Sequence, residues 1–276
     1  MKLYKTATGA IIQDEAGKTY FKEVSNWDSY INRDDLYSFL KSEIETATLQ
    51  ENADLTNTLA PLQSQEIWAA GVTYLRSRNA RMEESQETGG ATFYDKVYDA
   101  ERPEIFFKSN AQRCVGNNDK VRIRKDSTWN VPEPELTLLI TSSGKIVGYS
   151  IGNDMSSRSI EGENPLYLPQ AKCYEKCAAL GPCIYVPQHP INPSTTISIK
   201  IERSSAIQYQ DSVQISQMKR KHTELVEFLF RECDFPNGCF LMTGTCLVPP
   251  NEFTLNSGDA ISISIEGIGT LKNIVE

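Results

Sequence analysis

The stretch PEPELTLLI at residues 132–140 places two carboxylates in a segment that otherwise has the composition of a buried β-strand. In a strand, residues i and i+2 point to the same face, so Glu133 and Glu135 would lie side by side. Two ionised carboxylates at this spacing repel each other, and removing them from water is costly unless a positive charge compensates. Either this end of the strand is in water, or a cation lies between the two glutamates.

Two later segments could complete a cation site. Asp154 lies in the Gly/Asn/Ser-rich segment GNDMSSR (residues 152–158), just past a predicted strand, where a carboxylate can project into a cleft. Lys172 is preceded by the uncharged residues PQA (169–171) and followed by the partly apolar pair CY (173–174). Three carboxylates suit a hard divalent cation, namely Mg²⁺, Mn²⁺ or Ca²⁺. Because Glu-x-Glu pairs are also common at solvated strand ends, the spacing alone leaves both interpretations open.

Composition limits the classes of function. With 276 residues, 39% of them hydrophobic, the chain can bury a sizeable core. Its net charge of -8 argues against a nucleic-acid partner. The first ten residues lack the apolar core of a signal peptide and no apolar run reaches membrane-spanning length, so we expect no membrane association. The seven cysteines form no CxxC pair, which favours a reduced, cytoplasmic protein with ordinary thiols.

The periodicity of apolar residues divides the chain in two. Residues 1–62 read as a small α/β domain, with short strands up to Ile12, a turn at 14–18, and a helix over 34–49 that begins at an Asp34 cap. From residue 63 to 276 strands dominate, at 66–72, 104–108, 120–124, 135–141, 145–151, 195–201 and 260–265, with helices at 77–86 and 222–232. Few helices separate the strands, so a mixed or antiparallel β architecture fits better than a doubly wound sheet. The predicted fold class is α+β and mostly β, and residues 89–100 read as a flap.

Several short motifs occur in the order found in one known family. They are AGVTY (70–74), RPEIFFK (102–108), PEL (134–136), GND (152–154), QAK (170–172), TGT (243–245) and EGIGTL (266–271). On these motifs, the chain from Ile67 onward resembles the fumarylacetoacetate hydrolase family. The resemblance implies a β-roll catalytic domain, a homodimer or homotetramer, and a magnesium ion held by Glu133, Glu135 and Asp154. The cation would then neutralise the paired glutamates and chelate the carboxylate and keto oxygens of a 2-oxo acid.

One position departs from the hydrolases of this family. They activate water with a His–Glu pair, whose histidine closely follows the Gly-x-x-Tyr segment, and Ser77 stands at that place here. An unassisted serine hydroxyl cannot take a proton from water at neutral pH. A hydrolase or decarboxylase of acylpyruvate-like compounds would need Glu83 or Glu84 with a different base, and this is the alternative function.

A branch of the family that lacks the histidine, the 2-keto-3-deoxy-D-arabinonate dehydratases, is more similar to this sequence. The similarity lies in GVTY (71–74) followed by Ser77 and Arg78, in RPE (102–104) and in LMTGT (241–245). These enzymes remove water from a 2-keto-3-deoxy sugar acid to give 2,5-dioxopentanoate. The resemblance therefore implies a magnesium-dependent dehydratase whose partner is a small 2-oxo acid.

The residues present suit this chemistry. Mg²⁺ on the 2-keto group would make the C3 protons more acidic and hold the resulting enolate. Lys172 could act as the base at C3, because a nearby cation and poor solvation favour the neutral amine. Glu104, at the start of an apolar strand, could be kept protonated by burial and serve as the acid for the departing C4 hydroxyl. Ser77, Arg78 and Thr245 are candidates for binding the substrate.

Each assignment has a structural alternative. Lys172 could only pair with one of the two glutamates. Glu104 could be a partner of Arg102 or Lys108. Ser77 could simply cap the helix that follows it. The protein could also be a catalytically silent family member, although a silent site has no need of a costly carboxylate cluster.

Overall fold

The structure is a computed structural model that describes residues 1–84 and 96–276. Most of the flap predicted at residues 89–100 lies outside the described residues, as do the side chains of Glu83 and Glu84. The described part is rich in strands, as the sequence predicts. In chain order the strands are β1 (Lys2–Lys5), β2 (Gly9–Gln13), β3 (Thr19–Glu23), β4 (Thr48–Gln50), β5 (Glu66–Gly71), β6 (Glu104–Ser109), β7 (Cys114–Val115), β8 (Lys120–Val121), β9 (Asn130–Val131), β10 (Pro134–Ile140), β11 (Ile146–Asp154), β12 (Ser156–Ser157), β13 (Ala178–Tyr185), β14 (Thr196–Arg203), β15 (Ala206–Gln214), β16 (Cys239–Met242), β17 (Ala260–Ile265) and β18 (Gly269–Val275).

The strands form two main sheets. The larger has the order β4-β3-β2-β1-β13-β11-β10-β16-β5-β6, with β7 also paired to β13. The second has the order β15-β14-β17-β18-β8, and β9 pairs with β12 in a short ribbon. Most neighbours are antiparallel, but β5 with β16, β7 with β13 and β8 with β18 are parallel. The predicted mixed β architecture is therefore confirmed.

The helices are few and short. Those with described bounds are α1 (Trp27–Ile31), α2 (Leu36–Ile44), α3 (Leu75–Glu84), α4 (Arg158–Glu163), α5 (Leu168–Lys172) and α6 (His222–Leu229). Helix α2 is shorter than the predicted 34–49. Asp34 does not cap it, because its carboxylate accepts hydrogen bonds from the hydroxyls of Thr141 and Ser143 instead. The predicted strand at 120–124 also proves shorter, since only Lys120–Val121 pair with a neighbour.

The core lies on both faces of the larger sheet, and β10 shows why. Its residues Leu136 and Leu138 belong to an apolar cluster that includes the alternating isoleucines of β14 and β17. Leu139 points the other way, into a cluster that includes Trp27 and Leu40 of the N-terminal helices. Because both faces are covered, all seven residues of β10 are buried. The carboxylate of Glu135 is therefore held inside the molecule.

The N-terminal strands are continuous with the larger sheet. Strand β1 pairs with β13, with Leu3 opposite Ile184. The hairpin of β2 and β3 extends the sheet further, with its turn at residues 14–18 as expected. The division into domains at residue 62 remains a prediction. No helix in the described parts of the chain is both long and apolar enough to cross a membrane.

Candidate active site

Three buried carboxylates converge at one end of the β10–β11 hairpin. Strand pairing places Glu135 opposite Gly152, and the Asp154 backbone N–H donates to the Glu133 carbonyl at 2.9 Å. One oxygen from each of Glu133, Glu135 and Asp154 lies within 4.8 Å of the others. Asp154 is the last residue of β11 rather than a residue beyond it, because β11 continues to pair with β13 up to that point. Glu133 lies just before β10 and Glu135 lies within it, and their carboxylates lie close together as the sequence predicts.

Lys172 lies directly against this cluster. It ends α5 and is fully buried. Its Nζ lies 2.6 Å from Glu133 Oε2, 3.1 Å from Asp154 Oδ2 and 2.5 Å from Ser156 Oγ. The structural alternative of a lysine–glutamate pair is thus present in the structure. It does not exclude a role as base, because the same contacts place the amine inside the site.

Two further basic side chains border the carboxylates. Arg158 Nη2 donates to Glu133 Oε1 at 2.6 Å. Lys108 Nζ lies 2.7 Å from Asp154 Oδ1, and both side chains are buried. Burial lowers the pKa of Lys108, but the Asp154 carboxylate and the sulfurs of Cys177 and Cys173 together outweigh this, so its pKa lies above the ordinary value. Lys172, Arg158 and Lys108 thus place positive charge around the three carboxylates.

Within the described parts of the chain, no lysine or arginine forms an ion pair with Glu135. Its Oε2 accepts the Gly244 backbone N–H at 2.6 Å. Burial, with repulsion from Asp154 and Glu133, holds the pKa of Glu135 well above its ordinary range. A divalent cation would remove this repulsion, and oxygen ligands of this kind are those that Mg²⁺ and similar hard cations prefer. The donor set of this structure therefore fits a magnesium ion.

A narrow cavity opens onto the cluster. Backbone and side chains of Gly71, Val72, Phe106 and Thr245 form part of its walls. Val72 has a φ of 54°, in the left-handed region that β-branched residues rarely adopt. Strain of this kind is found disproportionately at functional sites, where the surrounding structure enforces it.

Glu104 is not among the described residues that line this cavity, but it lies beside Gly71, which does. It is paired with Gly71 across β5 and β6, and a Cβ at Gly71 would lie 2.1 Å from Glu104 Oε2. The glycine therefore makes room for the carboxylate. Glu104 Oε2 is buried and has no hydrogen-bond partner among the described residues. Lys108 is not its partner, because the Lys108 amine is bound to other acceptors.

The three residues expected to bind substrate differ in position. Ser77 lines the cavity, but it lies inside α3, which begins at Leu75, rather than before the helix as a cap would. Its hydroxyl donates to the Tyr74 carbonyl at 2.8 Å and accepts from the Tyr74 N–H at 3.2 Å. Thr245 lines the cavity as well. Arg78 is not among the described residues that line it, and its guanidinium lies 5.2 Å from the centre of the Tyr98 ring.

Sequence reasoning missed several members of the site. Ser156 and Arg158 follow Asp154 closely, and their proximity was the available signal. Lys108 shares its strand face with Glu104 and Phe106, since all three are two residues apart on β6. Gly244, whose N–H holds Glu135, has a φ of 95° that a side chain would make unfavourable.

The two histidines lie elsewhere. His189 and His222 line a separate groove, and neither is among the described residues that line the carboxylate cavity. Burial lowers the pKa of His222 to about 4. In the described residues, no histidine is therefore placed to activate a water molecule at the carboxylates.

Comparisons with known proteins agree with this geometry. A family model described as "Fumarylacetoacetate (FAA) hydrolase C-terminal" matches residues 67–276. A Haloferax volcanii protein named "Probable 2-keto-3-deoxyxylonate dehydratase" is 47% identical over 237 residues, which cover 83% of this chain and 81% of that protein. The Saccharolobus solfataricus "2-dehydro-3-deoxy-D-arabinonate dehydratase" is 44% identical over 213 residues, which cover 76% of this chain and 72% of that protein.

A solved structure has the same fold. It is the "2-keto-3-deoxy-D-arabinonate dehydratase complexed with magnesium and 2,5-dioxopentanoate", which matches with a TM-score of 0.84 and 32% identity over 100% of this chain and 99% of that chain. The family model covers well over half of the chain, and the two relatives match it over most of their length. The chain therefore belongs to the fumarylacetoacetate hydrolase family.

Proposed function

We propose that the protein is a magnesium-dependent dehydratase of a 2-keto-3-deoxy sugar acid, such as 2-keto-3-deoxy-D-arabinonate, and that it forms 2,5-dioxopentanoate. The observation that carries the proposal is the contact of the Lys172 amine with two carboxylates of a buried cluster that fits a divalent cation. The relatives at 47% and 44% identity, both named as dehydratases of such acids, support the same reaction.

Glu133, Glu135 and Asp154 would hold the cation. When bound, Mg²⁺ supplies a Lewis acid for the keto oxygen of a 2-oxo acid. The chain's own contribution is to keep three carboxylates close together and out of water, with Gly244 N–H fixing one oxygen of Glu135. The remaining oxygen of Glu135 is then available to the cation.

Lys172 would take the proton from C3. The amine is fully buried, and three contacts, with Glu133, Asp154 and Ser156, fix its position at the cavity. A positioned general base of this kind contributes about 10²–10⁴-fold to a rate. Ser156, which holds the amine without carrying a charge, would keep it oriented in either protonation state.

Glu104 would donate a proton to the C4 hydroxyl, which leaves as water. Its buried Oε2 has no hydrogen-bond partner among the described residues and lies beside Gly71 of the cavity wall, which supports this role. Loss of the C3 proton and the C4 hydroxyl gives an unsaturated 2-oxo acid that tautomerises to 2,5-dioxopentanoate. Ser77, Arg78 and Thr245 remain proposed substrate contacts, with Ser77 and Thr245 supported by their place in the cavity wall.

The protein is further proposed to act in the cytoplasm as a homodimer or homotetramer. All seven cysteines are free thiols, which is consistent with a reducing compartment. Light scattering coupled to size-exclusion chromatography would measure the assembly. A monomer at working concentration would refute that part of the proposal.

A proton NMR time course tests the reaction. Purified protein with Mg²⁺ and 2-keto-3-deoxy-D-arabinonate should produce an aldehyde signal, with no release of pyruvate. Glu135→Gln should abolish the signal while the protein stays folded, and Glu252→Gln, at an exposed position, should leave it unchanged. Activity in Glu135→Gln would show that the metal assignment is wrong, and pyruvate release would favour carbon–carbon cleavage.

A further inference from the structure

Lys108 is a buried ammonium that lies behind the site. It is 0% exposed, and it is not among the described residues that line the cavity. Its Nζ contacts Asp154 Oδ1 at 2.7 Å, the Met155 carbonyl oxygen at 2.9 Å and the Lys172 carbonyl oxygen. The two carbonyl oxygens accept hydrogen bonds from the ammonium, whereas the contact with Asp154 is an ion pair.

The three contacts of Lys108 are with different parts of the site. Asp154 and Met155 lie where β11 ends, and the Lys172 carbonyl lies at the C-terminal end of α5, where helix carbonyls lack partners within the helix. Lys108 itself lies on β6. One side chain therefore joins the strand end that carries a candidate cation ligand to the helix end that carries the candidate base.

The two carboxylate oxygens of Asp154 have different partners. Oδ1 forms an ion pair with Lys108 but has no hydrogen-bond partner among the described residues, whereas Oδ2 accepts a hydrogen bond from Lys172. A carboxylate held in this way cannot turn freely about its terminal bond.

Stability alone does not explain a lysine at this position. A buried ion pair is often no more stabilising than a well-packed apolar pair of the same volume. Phe106, on the same face of β6, shows that an apolar side chain is accepted nearby. Its contacts with Asp154 and with the Lys172 carbonyl oxygen give a functional reason for a lysine at this position.

We propose that Lys108 is a positioning residue that orients Asp154 for the cation and fixes the backbone of Lys172 for proton removal at C3. This inference rests on the proposed function of the site. Residues that orient metal ligands typically affect metal affinity or activity by about 10–100-fold when replaced.

Lys108→Met tests the proposal, with Arg203→Met as its control. Arg203 forms a two-bond ion pair, at 2.8 Å for each bond, with the fully buried Asp259 that precedes β17, so its loss also leaves a buried carboxylate without its basic partner. Each variant is measured for Mn²⁺ affinity by electron paramagnetic resonance, for melting temperature, and for kcat and KM. We expect Lys108→Met to weaken Mn²⁺ binding by about 10–100-fold and to lower kcat more than it changes KM. Arg203→Met should lower only the melting temperature.

Wild-type Mn²⁺ affinity and kcat in folded Lys108→Met would overturn the proposal. If that variant does not fold, Lys108→Arg is read by the same two measurements, because a planar guanidinium keeps the charge but cannot direct three donors from one nitrogen. Wild-type values in that variant would overturn the proposal equally. Should the unmodified protein bind Mn²⁺ but dehydrate no sugar acid, the proposed function fails, while the Mn²⁺ comparison still decides whether Lys108 orients Asp154.

Discussion

The Lys172 amine lies 2.6 Å from Glu133 Oε2, so the candidate base contacts a carboxylate that also belongs to the candidate cation site. A divalent cation and an ammonium at this distance from the same carboxylate repel each other. Base and cation are therefore coupled electrostatically through Glu133. Replacing either one should alter the behaviour of the other.

Lys172→Met should separate the two roles. We expect kcat for dehydration to fall by about 10²–10⁴-fold, because the base at C3 is lost. Mn²⁺ affinity should not fall, because the variant removes a competing positive charge from Glu133. Lys200→Met, which removes a half-buried lysine of β14, serves as the control for both measurements. Retained turnover in Lys172→Met would mean that the lysine is only an ion-pair partner.

The raised pKa of Glu135 determines how the stability of the protein should depend on pH. Burial, with repulsion from Asp154 and Glu133, raises the pKa of Glu135 well above its ordinary value of 4.5. Its contribution to stability is therefore fully present below pH 4.5 and is lost as pH rises through the raised folded-state pKa. A bound cation favours the carboxylate, so it should offset this loss.

Thermal unfolding at several pH values checks this prediction. The stabilisation gained by replacing EDTA with Mg²⁺ should increase as pH rises above 4.5, and the increase should be absent in Glu135→Gln. A gain from Mg²⁺ that is the same at every pH would contradict the account of Glu135.

Glu104→Gln should uncouple two steps of the reaction. We expect dehydration to slow by about 10²–10⁴-fold, because the amide cannot donate a proton to the C4 hydroxyl. Exchange of the C3 protons with deuterated water should continue, because Lys172 is still present. Proton NMR in deuterated water measures both rates, and the exposed neighbour Glu101→Gln is the control. Loss of exchange together with dehydration would instead indicate a structural role for Glu104.

Gly244 and Gly258 form a matched pair for testing the support of Glu135. Both have positive φ, 95° and 89°, but a Cβ at Gly244 would lie 2.1 Å from Thr73 Oγ1, whereas one at Gly258 meets nothing within 4 Å. Gly258→Ala should lower the free energy of unfolding by about 1–2 kcal/mol, the cost of the left-handed conformation.

Gly244→Ala should cost more and should also weaken Mn²⁺ binding, since the N–H that holds Glu135 must move. Urea denaturation and Mn²⁺ titration of the two variants provide the comparison. Equal losses of stability with unchanged Mn²⁺ affinity would show that the Gly244 contact does not support the site.

The carboxylate cluster was predictable because its geometry is local. A period of two places Glu133 and Glu135 on one face, and the hairpin that follows returns the chain to bring Asp154 beside them. The strand at Ala260–Ile265 was predictable for the same reason, since its apolar residues alternate cleanly.

Non-local contacts account for what was missed. The interaction of Lys108 with the Lys172 carbonyl joins residues 64 positions apart, and nothing in the local pattern of β6 indicates it. The start of α2 depends in the same way on a non-local contact, because Asp34 meets hydroxyls more than 100 residues away and does not cap the helix. Short segments such as α5 contain too few residues for a helical period to appear.

Anomalous diffraction from crystals grown with Mn²⁺ tests the central claim most directly. The account predicts one strong anomalous peak bound by an oxygen from each of Glu133, Glu135 and Asp154, at metal–oxygen distances of about 2.0–2.3 Å. A cluster without a peak at saturating Mn²⁺, or a peak held by other side chains, would contradict it.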